Sequence, residues 1–584
     1  MTSASLHAVL ARRAEATPDR VALQWLGADA DLQSVTYAEL LQRTARLAAG
    51  LRACTAAGDR VLLALDHGLD FAAAFLACQH AGRIAVPIAV PSSRASEARS
   101  RAEHVWRHCG AAKILIAESA RAGVATLAPA VEAGDRARPC HTLAELEACG
   151  DSEPLRGPAP HEVAFLQYTS GSLAKPKGVI VEQASLLDNL ERIRERFGHH
   201  ADTVGLSWLP PHHDMGLVGG LLQPLFAGFR CLLMAPLQFV QRPRRWLEAI
   251  STHHVTTSGG PCFAYDLCLR RIRDKDVERL NLASWSVAFV GAEKVRADVM
   301  RAFAARFAPA GFRARALTPC YGLAEATLMV AGRRAGDGAE AVALCRAALA
   351  RGLAEAPDPA SADVLESVSC GSLVGAHRAV VVDPERGRAL ADGEVGELWL
   401  RGPSVARGYF ADPEATERTF GARLAGDDDG APYLRTGDQA FLRDGELHIC
   451  GRYKTVLIVR GKKYASEDIE ALLQERHPAL ASHGGVAFDA GCHEEESLIV
   501  VHELERAYLR DDLEQLRASM QGALGARLGL RAADIVLVLP GSLPRTTSGK
   551  LQRIACRELY RAGELRHVAP AAAAPAPGVP GGAP

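Results

Sequence analysis

The residues with the clearest chemical potential form a loop of hydroxyl, glycine and lysine residues at positions 168–178, with the sequence YTSGSLAKPKG. Glycines let backbone N–H groups turn toward a ligand, hydroxyls bond phosphate oxygens, and lysines offset phosphate charge. The loop therefore indicates a polyanion site, although it lacks the spacing of a Walker A loop. Taken alone, it is equally typical of a polar turn between a buried strand and a helix.

Two further segments each place a carboxylate near a glycine. In residues 321–327, YGLAEAT, Tyr321 can stack on a base and Glu325 can hold Mg²⁺. The same spacing is more often the start of a helix. In residues 436–438, TGD, Asp438 can accept from both hydroxyls of a ribose. The alternative is an Asp in a turn that bonds its own backbone.

A fourth segment carries a lysine near the carboxyl end. Lys550 lies in residues 544–551, PRTTSGKL, among small residues that favour a flexible loop. An ammonium group delivered to a pentacoordinate phosphorus binds the transition state more strongly than the ground state, and this lowers a barrier. The alternative is an exposed surface lysine.

The composition excludes several classes of function. The 67 basic and 68 acidic residues leave a net charge of -1, so no long-range field favours nucleic acid or an anionic membrane. The 14 cysteines are scattered without metal or redox spacing, which predicts a reducing, cytoplasmic compartment. The longest uncharged apolar stretch, residues 215–229, is short for a bilayer and contains Pro224, so we predict a core segment and no membrane span.

The hydrophobic pattern predicts how these segments are positioned. Helical and strand periodicities alternate from the start of the chain, which predicts a wound α/β core with ligands at strand–loop junctions. The predicted elements are helices over 36–53 and 71–80 and strands over 59–65, 84–88 and 113–117. A small α+β domain is predicted from about residue 454, with a helix beginning at Ser466 and strands at 498–504 and 535–539. The tail, 568–584, contains only Ala, Pro, Gly and Val and is predicted to be disordered.

In their order and distances, the four segments together resemble the core motifs of the adenylate-forming superfamily of acyl-CoA synthetases, luciferases and peptide-synthetase adenylation domains. The resemblance extends from about residue 6 to residue 566. It implies a large, multi-subdomain α/β amino-terminal domain with wound sheets over residues 1–453 and a small mobile α+β domain over 454–567. The hinge between them falls on Lys454.

The same resemblance implies a site for ATP and Mg²⁺. Glu325 would hold the metal, and the catalytic residues would be Lys550, Glu325 and Thr169. Leu173 departs from the family pattern, which usually has a threonine at that position. The positions that match nucleotide-binding residues of the family are Thr169, Ser170, Gly171, Ser172, Lys175, Gly178, Gly291, Ala292, Glu293, Tyr321, Gly322, Asp438, Arg452 and Lys550.

A narrower resemblance links residues 207–220, SWLPPHHDMGLVGG, and residues 258–268, SGGPCFAYDLC, to fatty acyl-AMP ligases. These enzymes activate fatty acids as adenylates and pass them to the phosphopantetheine arm of an acyl carrier protein in polyketide, lipopeptide or lipid biosynthesis. His213, Met215 and Gly216 would then contact the acyl substrate. Residues 333–370 resemble an insertion that restrains domain rotation and limits the use of free coenzyme A. The alternative is a tolerated surface insertion.

The predicted reaction is attack of a fatty carboxylate on the α-phosphorus of ATP, followed by acyl transfer to a holo acyl carrier protein. No carrier motif is visible in the chain, so we expect the carrier to act in trans. A medium- or long-chain acyl-CoA synthetase is one alternative. A catalytically inactive adenylate-binding scaffold is the other.

Overall fold

The structure divides into two compact units, Met1–Cys450 and Gly451–Pro584. It is a computed structural model, and it describes residues 5–28, 31–90, 96–121, 140–148, 162–169, 176–361, 363–427, 429–453, 456–459, 462–474, 477–480, 484–490, 498–509, 511–545 and 551–568. The domain boundary expected after residue 453 lies close to this division.

The first unit alternates helices and strands along most of its length. A π-helix spans Met215–Leu222. The α-helices in its described part are α1 (Leu6–Ala16), α2 (Tyr37–Cys54), α3 (Leu69–Ala81), α4 (Ser96–Cys109), α5 (Leu143–Glu147), α6 (Gln183–Phe197), α7 (Gln223–Ala227), α8 (Pro236–Gln241), α9 (Arg244–His253), α10 (Cys262–Arg271), α11 (Asp274–Val277), α12 (Ala297–Phe307), α13 (Arg346–Ala350) and α14 (Pro413–Phe420). The strands are β1 (Val21–Leu26), β2 (Leu32–Thr36), β3 (Arg60–Ala64), β4 (Ile84–Pro87), β5 (Lys113–Ile116), β6 (Cys140–Thr142), β7 (Val163–Thr169), β8 (Lys177–Glu182), β9 (Val204–Ser207), β10 (Arg230–Met234), β11 (Thr257–Gly260), β12 (Val287–Val290), β13 (Leu317–Gly322), β14 (Met329–Gly332), β15 (Ala341–Cys345), β16 (Val364–Val368), β17 (Ser372–Leu373), β18 (Arg378–Asp383), β19 (Arg388–Ala389), β20 (Gly396–Arg401), β21 (Leu434–Arg443) and β22 (Glu446–Arg452).

These strands form three large sheets. The nine-stranded sheet has the order β17-β14-β13-β12-β11-β9-β10-β1-β2, and its central strands from β13 to β1 are parallel. The six-stranded sheet has the order β6-β5-β3-β4-β7-β8 and is parallel except for the β7–β8 hairpin. The five-stranded sheet, β19-β18-β20-β21-β22, pairs β18, β19, β20 and β21 antiparallel. Parallel strands joined by helices confirm the predicted wound α/β class.

Helix α3 joins two of these sheets into one core. Every residue from 71 to 81 is buried, and the helix contacts β1 of one sheet and β3 and β4 of the other. A helix that is apolar all round is stable only when it is covered on every side. Helix α2 packs beside it and begins with a capping box in which Thr36 and Glu39 each bond the other's backbone N–H. The elements predicted over residues 36–117 are confirmed.

Two of the alternatives that the sequence left open are wrong. Residues 321–327 do not start an α-helix: β13 runs to Gly322, and a short 3-10 turn follows at Ala324–Ala326. The turn predicted at 436–438 lies inside strand β21. Gly437 has φ of 71°, and the pairing register of β20 with β21 shifts at this point, so the glycine forms a bulge within the strand and does not end it.

The region 333–370 contributes a two-stranded sheet, β15–β16, with α13 between its strands. Arg301 of α12 forms a two-pronged ion pair with Glu366 on β16, at 2.7 and 2.6 Å. Arg333 bonds Glu446 of β22 at 2.6 Å. Leu344 of β15 packs into a cluster with Phe441 and Cys450. The segment is therefore attached both to a helix and to the five-stranded sheet.

The second unit is a small α+β structure. Its strands are β23 (Val456–Val459), β24 (Lys462–Ala465), β25 (Gly485–Asp489), β26 (Leu498–Glu503) and β27 (Asp534–Val538), and its helices are α15 (Ser466–Gln474), α16 (Leu513–Leu528) and α17 (Arg553–Ala562). The predicted helix at Ser466 and the strands near 498 and 535 are confirmed. Lys454, Lys550 and the tail after residue 568 lie outside the described residues. Across the described part of the chain, no helix is both long and apolar enough to cross a membrane.

Candidate active site

The stem of the predicted phosphate loop is a tight β-hairpin. Strand β7 ends at Thr169, which pairs with Lys177 of β8, while Tyr168 pairs with Gly178. A Cβ at Gly178 would lie 2.9 Å from the Tyr168 ring, so this close approach requires glycine. The Tyr168 hydroxyl lies 2.8 Å from Nδ1 of His108 on α4. Thr169 and Gly178 therefore sit on a fixed stem.

The loop that this stem carries was predicted to supply most phosphate contacts. Its members Ser170, Gly171, Ser172 and Lys175 lie outside the described residues, as does the divergent Leu173. Their roles remain predictions.

Tyr409 connects the β7–β8 hairpin to Glu325, the carboxylate predicted to hold Mg²⁺. Its hydroxyl donates to Oε1 of Glu325 at 2.9 Å, and Nζ of Lys177 lies 4.7 Å from the centre of its ring. Burial and the neighbouring Glu325 carboxylate raise the pKa of Tyr409, so the phenol stays protonated and acts as the donor. Tyr409 also forms a bridge with Val179 of β8. The sequence analysis did not identify this residue.

The backbone that presents Glu325 is strained and pinned. Thr327 has φ of 69°, a conformation that β-branched residues rarely adopt. Its hydroxyl donates to the Ser404 carbonyl at 2.7 Å. Asn189 of α6 donates to the Met329 carbonyl at 2.9 Å and accepts from the Met329 N–H at 3.1 Å. Asn189 and Ser404 thus hold the loop in place, and neither was predicted.

Two predicted nucleotide-binding residues meet directly. The Tyr321 hydroxyl donates to Oδ2 of Asp438 at 2.5 Å, and both residues are buried. The bulge at Gly437 brings Asp438 into this position. The N–H of Asp438 donates to the Thr436 hydroxyl at 3.0 Å. The sequence-based alternative, an Asp occupied only by its own turn, is therefore wrong. Arg452 is exposed and is the last residue of β22, a strand that crosses the division between the two units at Cys450 and Gly451.

Strand β12 is followed by the predicted nucleotide-binding residues Gly291, Ala292 and Glu293, which the family resemblance places near adenine. Gly291 comes directly after the strand, and Ala292 adopts φ of 65°. Oε1 of Glu293 accepts from the N–H of Phe263 in the first turn of α10, at 2.7 Å. A carboxylate at this position satisfies a helix amide and lies favourably at the positive end of the helix. The carboxylate of Glu293 therefore has a structural partner.

A pocket of about 750 Å³, counting its open mouth, lies inside the first unit. Three predicted nucleotide-binding residues, Ala292, Tyr321 and Gly322, line it together with the predicted acyl-binding residue Met215. The rest of the wall is mostly apolar. The pocket therefore places an apolar chamber directly beside the predicted nucleotide segments, an arrangement that suits an amphipathic ligand.

The π-helix Met215–Leu222 forms one wall of this pocket. Asp214 precedes it and accepts from the Met215 N–H at 2.7 Å. A Cβ at Gly216 would lie 2.1 Å from the Pro210 carbonyl oxygen, so Gly216 allows the helix to pack closely on the preceding loop. The carbonyl oxygen of His213 accepts from the Leu217 N–H. The centre of the His213 ring lies 4.6 Å from the centre of the His212 ring. Of the three predicted acyl-contacting residues, only Met215 lines the pocket.

Comparison with known proteins identifies the class of enzyme. The sequence profile of the family described as AMP-binding enzyme matches residues 10–410. The chain belongs to this family, the adenylate-forming superfamily.

Within it, the chain is 37% identical to the medium-chain-fatty-acid–[acyl-carrier-protein] ligase JamA of Moorena producens, over 92% of this chain and 91% of JamA. It is 34% identical to the long-chain-fatty-acid–AMP ligase FadD28 of Mycobacterium tuberculosis, over 96% and 98% of the two chains.

Solved structures agree with this placement. The fatty acyl-adenylate ligase of Legionella pneumophila, determined in complex with acyl adenylate and pyrophosphate, matches with a TM-score of 0.74 and 34% identity, and 97% of each chain is covered. The protein is therefore an ATP-dependent ligase that adenylates fatty acids, and its relatives are fatty acyl-AMP ligases and FadD-type ligases.

Proposed function

We propose that this enzyme is a fatty acyl-AMP ligase that passes its acyl group to the phosphopantetheine thiol of an acyl carrier protein. The observation that carries the adenylation half is the pocket in which Met215 shares a wall with Ala292, Tyr321 and Gly322. A fatty acid in this pocket would present its carboxylate beside the nucleotide.

In the first step, a carboxylate oxygen forms a bond to the α-phosphorus while the bond to the pyrophosphate oxygen breaks. The residues supply position and charge without a covalent enzyme intermediate. Thr169 and the loop after it would hold the phosphates, and Asp438 would accept from the ribose. Lys550 would offset charge on the reacting oxygens, and Arg452 would contact the ribose side.

Glu325 fits the magnesium ion that the family implies. Mg²⁺ in nucleotide sites is held by one or two carboxylates together with substrate phosphates and water, so a single fixed carboxylate is sufficient. When bound, the ion offsets phosphate charge. The part of the chain that the structure describes contains no cluster of three or more acidic, His or Cys ligands. Tyr409 and the pinned backbone at Thr327 would keep Glu325 aimed at the phosphates.

Lys550→Ala tests the catalytic assignment. We expect pyrophosphate release to fall at least 1,000-fold while ATP still binds, because the lysine acts mainly in the transition state. Lys275→Ala, at an exposed position in α11, is the matched control and should retain wild-type rates. Wild-type release by Lys550→Ala would remove the role assigned to this lysine.

Transfer to a carrier is the second half of the proposal. Its support is that JamA and TtuA of Teredinibacter turnerae, 37% and 34% identical to this chain, are both named acyl-carrier-protein ligases. The ion pairs that attach residues 333–370 would also stiffen the segment expected to restrain rotation about Lys454. The competing function, acyl-CoA synthesis, is favoured by the name of FadD25, a putative fatty-acid–CoA ligase that is 36% identical.

Product analysis separates these functions. The enzyme is incubated with ATP and a fatty-acid panel, with coenzyme A in one arm and a holo acyl carrier protein in the other. We expect acyl-carrier product at a rate at least tenfold above acyl-CoA product. Dominant acyl-CoA formation would assign the synthetase function. Absence of pyrophosphate release with every acid would instead support the inactive scaffold.

A further inference from the structure

The far end of the acyl pocket is polar, although the walls around it are apolar. Cys231, Gly205 and Thr257 form one row across the adjacent strands β10, β9 and β11, and all three line the pocket. The ring of His199 reaches this row and is flanked by Phe197 and Phe229, with ring centres 5.6 and 5.0 Å away. Nε2 of His199 lies 3.1 Å from Oγ1 of Thr257.

The neighbours of His199 determine which of its nitrogens carries the proton. Nδ1 lies 3.2 Å from the side-chain amide of Gln223. This amide satisfies all its neighbours when its nitrogen donates to the Leu190 carbonyl and its oxygen faces Nδ1 and the Arg194 N–H. Nδ1 therefore donates to Gln223, and Nε2 is left as an acceptor. Burial lowers the pKa of His199 to about 3, so the ring stays neutral.

The orientation of the Thr257 hydroxyl follows from this chain of hydrogen bonds. Since Nε2 accepts, the Thr257 O–H must donate to it, and the remaining lone pairs of Oγ1 are available to a ligand in the pocket. No other hydrogen bond to Oγ1 occurs within the described residues. A buried acceptor that faces an alkyl chain stays unpaired, whereas a ligand that brings a donor satisfies it.

The sheet register gives the depth of this acceptor. Thr257 pairs with Val287 of β12, and Ala292, at the nucleotide end, follows Val287 by five residues. The three residues from Val287 to the end of β12 at Val290 span about 10 Å at about 3.3 Å each, and the two residues beyond the strand add less than about 7 Å more, so the two ends are about 15 Å apart. An extended alkyl chain advances about 1.25 Å per carbon, so about ten to twelve carbons reach from the carboxylate to Thr257.

We propose that the acyl substrate is a medium-chain fatty acid of about ten to twelve carbons that carries a hydroxyl at or beside its methyl end, and that this hydroxyl donates to Oγ1 of Thr257. The inference rests on the proposed fatty-acid adenylation and specifies its substrate class. Because Oγ1 can only accept, a keto group at the same carbon gains nothing.

The test compares kcat/KM for pyrophosphate release with decanoic acid, 10-hydroxydecanoic acid, 9-hydroxydecanoic acid and 9-oxodecanoic acid. We expect wild-type enzyme to prefer one of the hydroxy acids over decanoic acid by at least tenfold, and the oxo acid to gain no preference. Equal rates, or a preference for either hydroxy acid that stays below tenfold, overturn the proposal, as does a preference for decanoic acid. Release with no acid of the panel overturns the adenylation function and the inference together.

Substitutions at Thr257 test whether its hydroxyl causes the preference for the hydroxy acid. Thr257→Val keeps the volume and branching but removes the hydroxyl, and it should abolish the preference for the hydroxy acid. Thr257→Ser should retain it. Ser207→Ala, which removes a hydroxyl from the same wall two residues along β9 from the row of Thr257, is the matched control and should leave the ratio within twofold. A ratio unchanged in Thr257→Val, or equally changed in Ser207→Ala, refutes the assignment to Thr257.

Discussion

The contact between Tyr321 and Asp438 allows a sharp test of how the nucleotide side of the site is organised. Tyr321→Phe removes one hydroxyl and leaves the ring in place. The lost hydrogen bond is short, at 2.5 Å, and joins two buried side chains, one of them a carboxylate. Hydrogen bonds to charged groups contribute about 2 kcal/mol, which corresponds to a factor of about 30 in an equilibrium constant.

We expect this loss to appear in ATP binding. Without the hydroxyl, the Asp438 carboxylate is no longer held in the orientation that accepts from a ribose, so the KM for ATP should rise by at least tenfold, up to the factor of about 30 that the lost bond allows. The kcat should stay within about threefold, because the ribose is remote from the reacting phosphorus and its contacts are equal in the ground and transition states. Pyrophosphate release measured against ATP concentration gives both constants.

Tyr433→Phe is a matched control. The Tyr433 hydroxyl donates to Oδ2 of Asp427 at 2.7 Å, and Tyr433, like Tyr321, is a buried residue. Both variants should lose about 2 kcal/mol of unfolding free energy in urea, but only Tyr321→Phe should change the KM for ATP. An unchanged KM in Tyr321→Phe, or an equal rise in Tyr433→Phe, would refute the assignment of Asp438 to the ribose.

Three further variants test other parts of the first unit. Glu293→Ala should lower the free energy of unfolding by about 1 kcal/mol through loss of the bond to Phe263 and leave the KM for ATP unchanged. A raised KM with unaltered stability would support adenine contact instead. Asn189→Ala should reduce kcat about tenfold and raise the magnesium concentration needed for the half-maximal rate, because the loop that presents Glu325 is released. A wild-type kcat with a wild-type magnesium titration would contradict this. Burial lowers the pKa of His80 to about 3, so its contribution to stability is complete above pH 6.5 and is lost as the pH falls toward 3. When the pH is lowered from 7 to 5, the free energy of unfolding in urea should therefore fall by about 2 kcal/mol more for wild type than for His80→Leu. An equal fall in both proteins would contradict a lowered pKa of His80.

The sequence predicted the elements whose signal is local. Strand β3 and helix α2 have apolar patterns that any packing arrangement must respect, and both were found within a few residues of their predicted ends. The bulge at Gly437 could not be predicted, because a glycine with positive φ serves a turn and a bulge equally well. Only the pairing of β21 with β20 shows that Gly437 forms a bulge and not a turn.

The sequence identified the site residues that lie in motifs, but not those that only tertiary contacts bring to the site. Tyr321, Glu325 and Asp438 were identified from motifs, but Tyr409 was missed because its link to Glu325 spans 84 residues. Asn189 had left a signal: it is a polar residue at helical spacing from the buried apolar residues Leu186 and Ile193. The pairing of His199 with Thr257 joins residues 58 apart, and only the sheet register brings them together.

The π-helix at Met215–Leu222 has a consequence for how this pocket can diverge between relatives. A π-turn accommodates one residue more than an α-turn, and it arises or disappears through a single insertion or deletion. Removing one residue from the segment would restore α-helical winding and rotate the residues before it by about 100°. Met215 would then leave the pocket wall while the strands opposite stayed in place. One codon could thus change the shape of the acyl chamber without changing any residue that lines its far end.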